Sequence, residues 1–131
     1  RVVQGEVFDV VVDIRVGSPT FGQWDSVLLD DRSHRSVYLS EGLAHGFLAL
    51  EDDSTVMYLC SAPYAPGREH GVNPLCKTVG IEFPSQARDG SPLELLLSEK
   101  DEAAPGLLAA QEQGLLPSYA GQQEFLASLR A

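Results

Sequence analysis

The chain has 131 residues and a formal net charge of −10 at pH 7, with 9 Lys plus Arg against 19 Asp plus Glu. Hydrophobic residues make up 44% and charged residues 21%, a globular balance that supplies one core for one domain and argues against wholesale disorder. The acidic excess excludes a nucleic-acid binder, which needs a basic face to neutralise phosphates, and no apolar run reaches the roughly 20 residues of a membrane-spanning helix. Cys60 and Cys76 lack CxxC spacing and build no disulfide framework, so a reduced, cytoplasmic setting is expected.

The opening Arg1-Val2-Val3-Gln4-Gly5-Glu6-Val7-Phe8 reads as the end of one strand, a glycine turn and the start of the next. A chain that begins inside a hairpin is expected to be a fragment. From Glu6 to Val16, Phe8, Val10, Val12, Ile14 and Val16 share one face, while Val7, Asp9, Val11, Asp13 and Arg15 share the other. The first face fits a core and the second a polar cavity or a wet surface. Gly17-Ser18-Pro19 breaks this strand. Further strands are expected at Phe21–Leu29, Ser36–Ser40, Ala44–Leu50 and Thr55–Ser61, with Glu51-Asp52-Asp53-Ser54 as an acidic hairpin connection.

Strands every ten residues or so, with turn residues between them and no helical crossovers, indicate a β-sandwich or barrel. Pro63, Pro66, Gly67, Gly71 and Pro74 mark a long irregular segment, followed by a short strand near Val79–Phe83 and a loop over 85–92. Beyond Ser98, Glu102–Gln113 and Gly121–Arg130 are rich in Ala, Leu and Gln and read as helices separated by Gly114 and Pro117. The expectation is all-β with a helical tail, the barrel over 1–97 and the tail of the same domain over 98–131.

Three kinds of residue carry possible chemistry. His45, in Gly42-Leu43-Ala44-His45-Gly46-Phe47, places an imidazole in an apolar strand beside a glycine; it is either a core histidine satisfied by backbone or a residue lining a cavity. A metal site would want a second histidine two positions on, and Phe47 stands there, so no metal is expected. Tyr58 shares a strand face with Val56 and Cys60, as a core aromatic or as a phenol that donates a proton. Tyr64, held between Pro63 and Pro66, either stacks on a base or covers the barrel mouth. Ser98-Glu99-Lys100-Asp101 fits a helix capping box, although an Asp there can also orient a histidine ring.

VFDVVVDIRVGSPTFGQWDSVLL, YLSEGLAHGFLAL, VMYLCSAPYAPGREHG and LSEKD, in this order from Gln4 to about Asp101, resemble the dTDP-4-dehydrorhamnose 3,5-epimerase family of nucleotide-deoxysugar epimerases. The resemblance implies a cupin-type jelly-roll barrel, usually a homodimer, with no metal or organic cofactor. The implied reaction inverts C3, C5 or both in a dTDP-4-keto-6-deoxyhexose, in rhamnose or antibiotic deoxysugar biosynthesis. The C4 ketone acidifies the neighbouring protons; a base removes one and an acid returns a proton to the opposite face. Tyr58 resembles the family's proton donor, Tyr64 the aromatic on the thymine, and His45 a substrate-binding histidine. Glu69 and Lys100 match positions that contact the nucleotide sugar, and Asp101 resembles the aspartate paired with the catalytic histidine. The family's base lies in a Gly-Leu-His motif that no residue here matches, so the chain by itself is expected to be inactive. The loop after His70 also lacks the Asp-Pro usual at its end. A non-catalytic cupin module that binds a sugar nucleotide is the rival reading, and a metal-dependent cupin enzyme a third.

Overall fold

The computed structural model describes residues 1–130, which form five strands and three helices. β1 (Val2–Gln4) turns at Gly5 into β2 (Glu6–Asp13); β3 (Trp24–Asp30), β4 (Leu43–Ala49) and β5 (Thr55–Val56) follow. The turn requires its glycine. Gly5 has φ +81°, and a Cβ there would fall 2.4 Å from Ser54 Oγ. β2 is the centre of a three-stranded antiparallel sheet in the order β3-β2-β4, and β1 pairs with β5 in a second, two-stranded sheet.

Register decides what each face of β2 touches. Val7 lies between Leu29 and Ala49, Asp9 between Val27 and Phe47, and Val11 between Asp25 and His45. The β1–β5 pair covers one end of this face, where Val2, Val7 and Leu29 form a core cluster with Val27 and Val56 against it. On the opposite face Phe8, Val10 and Leu50 pack with Trp24, Leu48, Ile81, Phe83 and Leu93. Phe83 meets Phe8 edge-on at 5.9 Å between ring centroids.

β2 stops at Asp13, three residues earlier than its alternation predicts. The Asp13 carboxylate accepts from Arg15 N–H, from the Arg15 guanidinium and from the Ser18 and Thr20 hydroxyls, closing a tight turn that the apolar pattern does not anticipate. Val16 instead bridges to Ser118, its N–H donating to Pro117 O and its carbonyl accepting from Tyr119 N–H. Four other expected strands are shorter or absent. The one expected over Phe21–Leu29 begins only at Trp24, because Phe21 N–H and Gln23 N–H close turns on Ser18 O and Thr20 O. The ladder of β5 continues only to the Arg1–Met57 pair, and beyond Met57 the backbone has no partner strand among the described residues. Ser36–Ser40 likewise lacks a ladder, and Val79–Phe83 forms no strand: Val79 and Gly80 close a turn on Cys76 O, and Ile81 and Phe83 cover the Phe8 cluster. Strand propensity makes a strand only where a neighbour takes its hydrogen bonds.

The helical tail divides at different places from those expected. α1 (Glu99–Ala103) is capped by Ser98, α2 (Leu107–Glu112) follows Pro105-Gly106, and α3 (Tyr119–Ser128) is capped by Ser118. Pro105 breaks what the Ala-Leu composition reads as one helix. Arg15 anchors α3 to the barrel, its guanidinium 5.2 Å from the Tyr119 ring centroid and donating to Gln122 Oε1.

Candidate active site

Tyr58, Tyr64 and Glu69 come together. With Cys60, Ser61, Ala62 and Pro63 they line one cavity of about 500 Å³. Both residues are largely exposed, Tyr58 69% and Tyr64 72%, so Tyr58 is not the core aromatic that the strand pattern allowed. Tyr58 and Cys60 lie two residues apart, as expected for one face of an extended segment. The bend that carries Tyr64 is a turn over 65–68: Arg68 N–H donates to Ala65 O at 3.0 Å, with Pro66 second and Gly67 third at φ +86°. Pro followed by a residue of positive φ is a type II turn. Glu69 Oε1 accepts from Ala65 N–H at 3.3 Å.

His45 stands on the sheet face described above, diagonal to Asp9, and its Nε2 lies 2.8 Å from Asp9 Oδ2. Asp9 is 4% exposed. An ionised carboxylate can only accept, so Nε2 is the donor to Asp9; whenever the ring is neutral, Nδ1 is then the nitrogen that can accept from a ligand. His45 is therefore neither satisfied by backbone nor buried; it is half-open, oriented by one carboxylate and beside Phe47, whose ring centroid is 6.3 Å away. The sequence pattern does not single out Asp9. The signal was present in the charged face of β2, but only the β2–β4 register brings Asp9 to the histidine.

Lys100 and Asp101 lie on α1, both exposed. Ser98 Oγ accepts from Asp101 N–H at 3.1 Å and donates to its Oδ2 at 2.8 Å, so the capping reading of this motif holds in the structure. No histidine bonds Asp101 among the described residues. Lys100 makes no ion pair among them either, which leaves its ammonium available to an anion.

Away from these residues, the charge is used in construction. The Arg15 guanidinium, with lesser help from the two hydroxyls, outweighs burial and holds the Asp13 carboxyl well below the usual range. Arg88 joins Asp31 at 2.9 Å and Glu51 at 2.6 Å, with Glu6 at 3.9 Å, which ties three ends of the main sheet together.

The family model for dTDP-4-dehydrorhamnose 3,5-epimerase matches residues 1–109. The chain belongs to the dTDP-4-dehydrorhamnose 3,5-epimerase family. It is 62% identical over 128 residues to the dTDP-4-dehydrorhamnose 3,5-epimerase of Mycolicibacterium smegmatis, which covers 98% of this chain and 60% of that protein. A dTDP-4-dehydro-6-deoxyglucose 3-epimerase of Streptomyces bikiniensis is 51% identical, over 93% of this chain and 59% of its own length. The crystal structure of the Mycobacterium tuberculosis rmlC epimerase superimposes with a TM-score of 0.88 at 54% identity, covering 97% of this chain and 62% of the other. ChmJ, a 3'-monoepimerase from S. bikiniensis in complex with dTDP-quinovose, gives 0.86 at 50% identity, covering 97% and 61%. The chain thus spans about three fifths of the length of these epimerase-family members. Its strands are those of the family's cupin-type jelly roll, followed by the short helical tail.

Proposed function

We propose that this chain carries the nucleotide subsite and the proton-donating side of an epimerase acting on a dTDP-4-keto-6-deoxyhexose. The observation that carries the reading is the cavity shared by Tyr58, Tyr64 and Glu69, in a chain whose relatives are named for this chemistry and one of which holds dTDP-quinovose. Tyr58 is the acid. Once a base has taken the C3 or C5 proton and the C4 carbonyl has become an enolate, the phenol delivers a proton to the opposite face of that carbon. Tyr64 is the platform for the thymine, fixed by its flanking prolines, and Glu69 belongs to the same subsite. Lys100 offers the local cation that a diphosphate needs in a chain of net charge −10. His45, its Nδ1 free, binds the sugar.

Asp101 is assigned to the base histidine's ring, a role its exposed carboxylate on α1 leaves open. No residue of this chain matches that histidine, so the 131 residues alone are proposed to leave C3 and C5 unexchanged. Residues 98–131 are read as the tail of the same domain, in support of which stand the Val16–Ser118 bridge and the Arg15–Gln122 bond. A cytoplasmic homodimer is the expected setting. Incubation of a dTDP-4-keto-6-deoxyhexose in D₂O tests the acid assignment. A chain joined to a relative's segment bearing the Gly-Leu-His motif should exchange, and its Tyr58→Phe variant should not.

A further inference from the structure

α1 carries Lys100 and Asp101, two of the residues assigned to the reaction, yet it has no buried face to hold it. All five of its residues are exposed, and a helix this short is marginal in water without tertiary support. Its support comes from the segment that leaves the cavity. Gly71 is two residues beyond Glu69, and a Cβ placed on it would stand 3.9 Å from Ala104 Cβ. Two residues further on, Asn73 Nδ2 donates to Glu102 O at 3.2 Å, and Asn73 N–H donates to Pro105 O at 2.9 Å. No other distant segment hydrogen-bonds α1 among the described residues. The side-chain amide can point only one way. Leu75 N–H, a donor, lies 2.8 Å from Asn73 Oδ1, so the oxygen closes the local turn and the NH₂ group faces the Glu102 carbonyl. Leu107 N–H donates to Cys76 Sγ at 3.3 Å, so residues 73–76 grip the chain on both sides of Gly106.

Resting on the nucleotide reading above, we infer that Asn73 is a positioning residue: by holding Glu102 O it fixes α1, and with it the Lys100 ammonium, relative to the cavity of Tyr64 and Glu69. A lysine is a point charge on a flexible stem, so its use to a diphosphate depends on where its helix is held. A nucleoside without phosphates gains nothing from that placement.

The test uses the intact chain, with dTDP and thymidine as separate probes in calorimetry and hydrogen exchange of the Glu102 amide as a measurement that needs no ligand. Asn73→Ser keeps a neutral oxygen that can accept from Leu75 N–H and is too short to reach Glu102 O. This variant should bind dTDP about three- to tenfold more weakly than the parent, the scale of one net hydrogen bond, and thymidine within about twofold. In a Lys100→Ala background, Asn73→Ser should cost nothing further, because the cation it places is gone. The Glu102 amide should exchange faster in Asn73→Ser and not in Lys100→Ala. Equal losses for dTDP and thymidine would show a general structural role and refute the inference. An unchanged dTDP affinity, a full Asn73→Ser loss without Lys100, or unchanged Glu102 exchange would refute it too. A parent that binds dTDP no tighter than thymidine would leave the Tyr64 platform standing and overturn the placement of Lys100. A parent that binds neither would remove the nucleotide reading itself, and Glu102 exchange alone would then decide whether Asn73 holds α1.

Discussion

A phenol open to a cavity and a phenol packed in a core have the same formula and different uses. Tyr58 lines the cavity and is largely exposed, so Tyr58→Phe removes one oxygen and no packing. In an active, His-bearing version of this chain that change should slow epimerisation by about 10²–10⁴-fold, the range for loss of a general acid. Turnover close to the parent's would take Tyr58 out of the reaction. The Asp9–His45 pair makes a prediction that needs no substrate. Because Asp9 accepts at 2.8 Å, the neutral His45 ring should carry its proton on Nε2, and nitrogen NMR showing the Nδ1–H form would contradict the geometry. Tyr58, Tyr64 and His45 were legible in the sequence as residues that gain a use only in a barrel. Asp9 was not, since nothing in a strand's own alternation tells which residue of another strand, 36 positions along, will lie diagonal to it.

Between elements, one joint lies at the end of β2. There the Asp13 carboxylate gathers Arg15, Ser18 and Thr20, and Arg15 in turn holds α3 through Tyr119 and Gln122. Arg15 depresses the folded-state pKa of Asp13 below its unfolded value. That contribution to stability is therefore fully present above pH ~4, where the unfolded carboxyl is ionised, and is lost as the pH falls through the lower folded value. Asp13→Asn should cost about 2 kcal/mol at pH 7, as for a buried hydrogen bond to a charged group. Its denaturant midpoint should also lose much of the parent's fall between pH 5 and pH 2. A variant that keeps the parent's acid dependence would place the titrating group elsewhere.

Strand positions were legible where apolar alternation coincided with a partner, as in β2 and β4. They were overestimated wherever the partner was missing, as in Ser36–Ser40 and beyond Met57. The β2 end was misplaced because a side-chain knot, invisible to hydrophobic periodicity, overrode it. Pro105 marks the break between α1 and α2, which Ala-Leu composition alone does not show.

At the scale of the molecule, two features bear on function together. β2 is flanked on both sides, while β4 pairs only with β2 among the described residues, and the face bearing His45 and Phe47 is covered at one end by the short β1–β5 sheet. A free strand edge is a template for pairing, so sedimentation should show a concentration-dependent dimer; a monomer at all concentrations would oppose that expectation.

The cavity shared by Tyr58, Tyr64 and Glu69 lies in this chain; the donor and the platform are proposed for Tyr58 and Tyr64, and the base for a Gly-Leu-His motif that this sequence does not contain. Solvent-deuterium incorporation at C3 and C5 of a dTDP-4-keto-6-deoxyhexose tests that division most directly. The 131-residue chain should bind dTDP and exchange neither position. The same chain joined to a relative's Gly-Leu-His segment should exchange, and Tyr58→Phe in that fusion should bind as before without epimerising. Robust exchange by the 131 residues alone, or an exchanging and epimerising Tyr58→Phe fusion, would contradict the account.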